Sequence, residues 1–189
     1  MSFSRRAWYQ LAVGACVIAC ALLVVKWQRD AAFDRRYRPR MAEKFGGAEN
    51  LDIVSRTARI EVFRIGKLSD YRDAANASGT NLVLNKYPML SGPAVVPPEL
   101  QSRILNLLKS PTSYSWDAGR KACIIVPGMR LKLTAGKEDL DILFCFDCGI
   151  MVVFKDGIDV AGADFDPAER RFAAIFKALY PQDAEIQGL

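Results

Sequence analysis

Cys123-Ile-Ile-Val-Pro-Gly-Met-Arg-Leu-Lys-Leu133, followed by Asp139-Leu-Asp-Ile-Leu-Phe-Cys-Phe-Asp-Cys148, is the stretch that decides the fold. Leu131 and Leu133 alternate with Arg130, Lys132 and Thr134, the period of a half-buried strand. Ala135-Gly136-Lys137 supplies a turn. Leu140, Ile142, Phe144 and Phe146 then line one face of the next strand, and Asp139, Asp141, Leu143, Cys145 and Asp147 line the other. Cys148-Gly149 reverses the chain into the apolar run Ile150–Phe154, and Asp156-Gly157 signals a tight hairpin. The pattern is an antiparallel meander with Cys145 and Cys148 at one strand end. Cys123 is expected close by, on the strand before.

Flanking segments supply further elements. Ala58–Ile65 alternates cleanly and slips at Phe63, so a strand with a bulge is expected there. Asn81–Tyr87 reads as another strand, Ser69–Thr80 as a loop and Ser91–Pro98 as a proline-rich connection. Leu100, Ile104, Leu107 and Leu108 have helical spacing, stopped at Ser110-Pro111. Tyr114 and Trp116 follow as packing residues. In the last helix Asp166 suits the N-cap, Pro167 the first helical position and Glu169 a capping box. Phe172, Ile175, Phe176 and Leu179 form its apolar stripe, and Pro181 ends it. The fold class read from this is α+β: an antiparallel β-meander with two packed helices, preceded by an N-terminal transmembrane helix.

That transmembrane expectation rests on residues 7–27, apolar apart from Gln10 and Lys26 and about 20 residues long, enough to span a bilayer. Trp8, Tyr9 and Trp27 stand where interfacial aromatics belong. An uncleaved anchor is the leading reading. A lipoprotein signal competes, because Val17-Ile-Ala-Cys20 fits a lipidation box with Cys20 as the acceptor, and a cleaved signal peptide is third. The domain plan is therefore a short tail over 1–6, the anchor or signal over 7–27, a basic juxtamembrane stalk over 28–47 with Pro39 breaking any helix, and a globular α+β domain over 48–189.

Charge follows the same division. The net charge of +5 is concentrated at the start: residues 1–44 hold 9 of the 26 Lys/Arg and only 3 of the 21 Asp/Glu. The remainder is close to neutral. A basic flank beside an apolar span argues for lipid headgroups as the partner and against nucleic acid. More Lys/Arg after the span than before it favours a cytoplasmic domain, although Arg5 and Arg6 resist export of the short tail. The chain has no histidine, which removes His-based triads and most zinc enzyme sites. No phosphate loop, dinucleotide fingerprint or nucleophile elbow is present, so no catalytic residue is assigned and the pattern points away from an enzyme.

Cys123, Cys145 and Cys148 carry the remaining chemistry. Cys145-Phe-Asp-Cys148 is a C-x-x-C motif, but strands flank it on both sides, whereas a thioredoxin-type pair needs a helix N-terminus. The three thiols would make an incomplete zinc site, with Asp147 or another carboxylate as fourth ligand. A structural disulfide, joining Cys123 to Cys145 or Cys148, fits an oxidising compartment, and buried free thiols are the plainest alternative. Asp139 and Asp141 share a strand face and are read as cross-strand partners of Arg130 and Lys132.

Trp116-Asp117, Lys121, Cys123, Pro127-Gly128, Cys145-Phe-Asp-Cys148, Phe165-Asp166, Tyr180-Pro181, Asp183, Ile186-Gln187 and Leu189 together resemble a family of uncharacterised bacterial membrane-anchored or exported proteins. Its pattern is a cysteine before a Pro-Gly, a Cys-Phe-x-Cys strand end and a closing Phe-Pro-x-Asp-x-x-Ile-Gln-x-Leu tail. The likeness covers about residues 110–189, and Tyr180 replaces the usual Phe. It implies an extracytoplasmic domain, against the charge count, and carries no activity with it. The expected protein is a single-pass envelope protein with structural cysteines and no cofactor. The alternative is a thiol-redox or zinc-binding protein using Cys123, Cys145 and Cys148.

Overall fold

The computed structural model describes residues 20–21, 24–25, 35–66, 82–84, 87–116 and 121–189. Most of the apolar segment 7–27 and the whole loop expected over 69–80 lie outside these residues. Among the described residues no helix is long and apolar enough to cross a membrane. Two compact units are present, residues 1–40 and residues 41–189. The second carries the fold.

Its centre is a six-stranded antiparallel sheet. The strands are β1 (Arg59–Ile65), β3 (Tyr87–Ala94), β4 (Met129–Ala135), β5 (Glu138–Cys145), β6 (Ile150–Lys155) and β7 (Ile158–Asp164), with a two-residue β2 (Leu82–Val83) paired to β3. The order across the sheet is β2-β3-β1-β4-β5-β6-β7. The expected meander is β4 to β7. Its turns fall at residues 136–137, 146–149 and 156–157. Asp156 and Gly157 both have positive φ, 52° and 80°, as the favoured two-residue hairpin turn requires.

Alternation along β4 decides which face meets the helices. Met129, Leu131, Leu133 and Ala135 are buried while Arg130, Lys132 and Thr134 are part-exposed. Register places Leu133 opposite Leu140, Leu131 opposite Ile142, and Met129 opposite Phe144, so one apolar face continues across strands. Helices α1 (Ala48–Arg56), α2 (Pro98–Lys109) and α3 (Glu169–Leu179) build the layer over it. α1 lies against β4 and β5, and α2 touches α1 and α3. The two expected helices are α2 and α3. α1 is additional, as are the short α4 (Ala184–Gln187) and a helical stretch over residues 35–45.

Four sequence expectations are corrected. Proline does not break the chain at Pro39, because residues 35–45 are helical; Met41 and Phe45, one turn apart, are buried, and burial of this size outweighs one missing helix hydrogen bond. The proline-rich connection begins with a strand instead, β3, which includes Pro88 and Pro93. Pro93 falls where three residues of β3 span Ser91↔Arg64 to Ala94↔Val62 against two of β1, so it sits in a bulge that needs no ladder N–H. β5 ends at Cys145, which leaves Phe146 in the turn. Cys123 is not on a strand: residues 121–128 are irregular and β4 begins at Met129.

Aromatic packing joins α3 to the sheet. The Phe144 ring centroid lies 5.2 Å from Phe165, 4.8 Å from Phe172 and 5.5 Å from Phe176. Phe146 adds edge contacts to Phe165 and Phe176. The opposite sheet face carries a second apolar row, Phe63, Leu143, Val152 and Phe154, packed with Ile65 and Tyr87. Beside it the cross-strand ion pairs form as expected: Arg130 with Asp141 at 2.8 Å and Lys132 with Asp139 at 2.9 Å. Phe176 is fully buried in the aromatic cluster, whereas Arg170 on the same helix is exposed. Phe176→Ala is expected to cost about 3–5 kcal/mol through cavity formation, and Arg170→Ala less than about 0.5 kcal/mol. Urea unfolding of the two variants checks the ranking.

Candidate functional site

The residues singled out by sequence converge at one end of the meander, around the 146–149 turn. Cys123 and Cys148 stand at disulfide-bonding distance, with Cα atoms 6.1 Å apart. Cys145 is not part of this pair. It is buried as a free thiol, and its Sγ accepts the Val126 N–H at 3.3 Å. The strap Cys123–Val126 thus meets the strand end twice, through Cys148 and through Cys145. Cys20 is exposed in the N-terminal unit, and the structure brings nothing to it that bears on lipidation.

Lys121 closes the strap from the other side. Its ammonium donates to the Cys148 carbonyl at 2.8 Å and pairs with Asp164 at 2.9 Å and Asp166 at 2.6 Å. Burial would lower the Lys121 pKa, but the two carboxylates hold it above its ordinary value. Burial would raise Asp164, yet Lys121, the Asp166 N–H and Ser115 hold it below the usual carboxylate range. Asp166 is therefore occupied by Lys121 and makes no side-chain cap. The expected N-cap is corrected accordingly: Asp166–Ala168 form a single 3-10 turn, and α3 starts at Glu169.

Gly149 lies under this cluster with φ +63°. A Cβ there would stand 1.8 Å from the Asp166 carboxylate and 2.9 Å from the Lys121 ammonium. Its carbonyl accepts the Phe165 N–H at 2.8 Å. The turn, the strap and the entry to α3 consequently share one residue whose left-handed backbone favours glycine and whose Cβ would displace the Asp166–Lys121 pair.

Arg64 was missed by the sequence reading, although a signal was present: it has the same parity on β1 as Ile60 and Val62, an inward position. Its guanidinium is buried. It donates to Asp183 at 3.0 Å, to the Ile65 carbonyl at 2.6 Å, to the Gly128 carbonyl at 2.8 Å and, by a very short contact, to Glu185. Asp183 also caps α4, accepting from the Glu185 and Ile186 N–H groups at 3.0 Å. Burial would raise the Asp183 pKa, but the cap and Arg64 hold it below the usual range. Tyr180 adds a hydrogen bond to the Val62 carbonyl at 2.8 Å, and Ile186 is buried. The C-terminal tail is thereby tied to β1 and to the Pro127-Gly128 bend.

A cavity of about 30 Å³ lies where these parts meet, lined by Arg64, Val126, Gly128, Phe146, Asp147 and Glu185 among others. It has room for one or two waters and is about a tenth of the smallest ordinary ligand pocket. Among the described residues no group of three His, Cys, Asp or Glu side chains is placed to hold a metal ion. The arrangement holds chain segments together.

No protein-family model, curated protein or solved structure matches the chain.

Two outcomes follow from this geometry. Gly149→Ala should destabilise by about 2 kcal/mol or more, from left-handed backbone strain and the displaced Asp166–Lys121 pair, while Gly136→Ala, where a Cβ meets nothing, carries the backbone strain alone. Equal effects in urea unfolding would show that the pair contributes little. Stability should also fall at both pH extremes. Asp164 and Asp183 titrate below 3.8 when folded, so their contribution is complete above that value and is lost as pH falls through the depressed folded values. Lys121 titrates above 10.5 when folded, so its contribution is present below 10.5 and is lost as pH rises through the folded value. Asp183→Asn should flatten the acid limb of a pH-stability profile.

Proposed function

We propose that this chain is a membrane-anchored envelope protein whose domain over 48–189 is a structural or binding module, not an enzyme, and that its cysteines are structural. Residues 7–27 lie in the bilayer and the basic flank contacts headgroups, with no nucleic-acid partner. The domain lies outside the cytoplasm, in keeping with the bacterial family the C-terminal motifs resemble. The observation that carries this reading is the placement of Cys123 and Cys148 together, beside Lys121 paired with Asp164 and Asp166. A disulfide closing this loop would contribute about 3 kcal/mol and suits an oxidising compartment.

The second reading is a thiol-redox or zinc protein, and one observation favours it: the free Cys145 thiol lies in the same C-x-x-C turn as Cys148. Thiol counting on denatured full chain distinguishes them. The chain has five cysteines. The structural reading predicts three free thiols without reductant (Cys16, Cys20 and Cys145) and five with it. Five free thiols without reductant, or stoichiometric zinc in the purified protein, would move the second reading to first place. Deletion of residues 1–27 should release the protein from the membrane fraction, and retention in the pellet at high salt would refute the anchor. Loss of labelled lipid on Cys20→Ala would instead establish a lipoprotein.

A further inference from the structure

A groove of about 330 Å³ opens between α2 and α3, far larger than the cavity beside the cysteines. Arg103, Asn106, Leu107 and Ser110 line it from α2 and its end, and Arg171 from the first turn of α3. Among the described residues no carboxylate lines it. Arg171 is held in place, donating to the Pro167 carbonyl at 3.2 Å and the Thr112 carbonyl at 3.5 Å. Ser110 and Thr112 share a hydroxyl hydrogen bond at 2.8 Å. Every ion-paired cation elsewhere in the domain faces a carboxylate, as Arg64, Lys121, Arg130 and Lys132 do. Two guanidiniums, an amide and a hydroxyl converge here without one.

We propose that this groove is an anion site for a phosphate group, with Arg103 and Arg171 as its charged donors and Asn106 and Ser110 as neutral ones. Guanidinium offers the planar paired donors that phosphate oxygens accept. Arg171 also sits at the positive end of α3, a position that disfavours a cation and favours an anion beside it. The end of α2 opposes this with about half an elementary negative charge, against two full positive charges from the arginines. The volume falls within the range of small-ligand sites, so it admits a phosphate together with the small group that carries it. Leu107 supplies an apolar floor for that group. The same chemistry fits a soluble phosphate ester and an anionic lipid headgroup.

The test uses the full chain in neutral detergent micelles. Binding is read as a rise in unfolding temperature on titration with inorganic phosphate, and separately on doping the micelles with phosphatidylglycerol. Arg103→Gln and Arg171→Gln should each weaken binding about tenfold, and Arg56→Gln, which removes an equal charge paired with Glu138 elsewhere, should not. A response to free phosphate identifies a soluble ligand; a response only to the doped lipid, still dependent on both arginines, identifies a headgroup. No response to either probe, or one unchanged in both groove variants, overturns the proposal. Circular dichroism of the two exposed-site variants separates lost binding from lost folding.

Discussion

The turn over residues 146–149 must hold three separate chain segments at once, and the rest of the domain is arranged to meet that demand. Phe146 reaches into the aromatic cluster of α3, Cys148 faces Cys123 on the strap, and Gly149 receives the backbone that leads into α3. A left-handed backbone favours glycine at the last position, and a Cβ there would push the Asp166–Lys121 pair aside. The helix layer, the strap and the sheet are therefore coupled through four residues. The coupling explains why Asp166 is spent on Lys121 and not on capping its own helix.

A second tie runs through Arg64. A guanidinium buried in a strand is costly unless its donors are met. Here two carboxylates and two backbone carbonyls meet them, and the carboxylates come from the last seven residues of the chain. The C-terminal tail is thus part of the sheet's own hydrogen-bond accounting, and Asp183 works both as the cap of α4 and as Arg64's partner. The groove between α2 and α3 is the larger of the two cavities described.

The parts legible in the sequence were those where one local rule dominates. β4 to β7 follow period-two alternation and glycine turns, α2 and α3 follow a helical stripe, and the slip at Phe63 marks the bulge where β1 meets β3. What was hidden depended on long-range partners. β3 contains two prolines, tolerated only because the bulge removes the need for one N–H. α1 is only nine residues long and follows a Gly47 N-cap with no side chain, so no cap announces it. The role of Arg64 needs Asp183, 119 residues away, and the choice of Cys148 over Cys145 as partner of Cys123 depends on where the strap crosses the strand end. Asp166 looked like a cap because local spacing allowed it; Lys121, 45 residues earlier, claims its carboxylate.

Structural cysteines are the central claim, and reversible unfolding with and without reductant tests it most directly. If the Cys123–Cys148 link serves to hold the strap, reduction should lower the unfolding free energy by about 3 kcal/mol while native circular dichroism stays the same. An unfolding free energy indifferent to reductant would contradict the account.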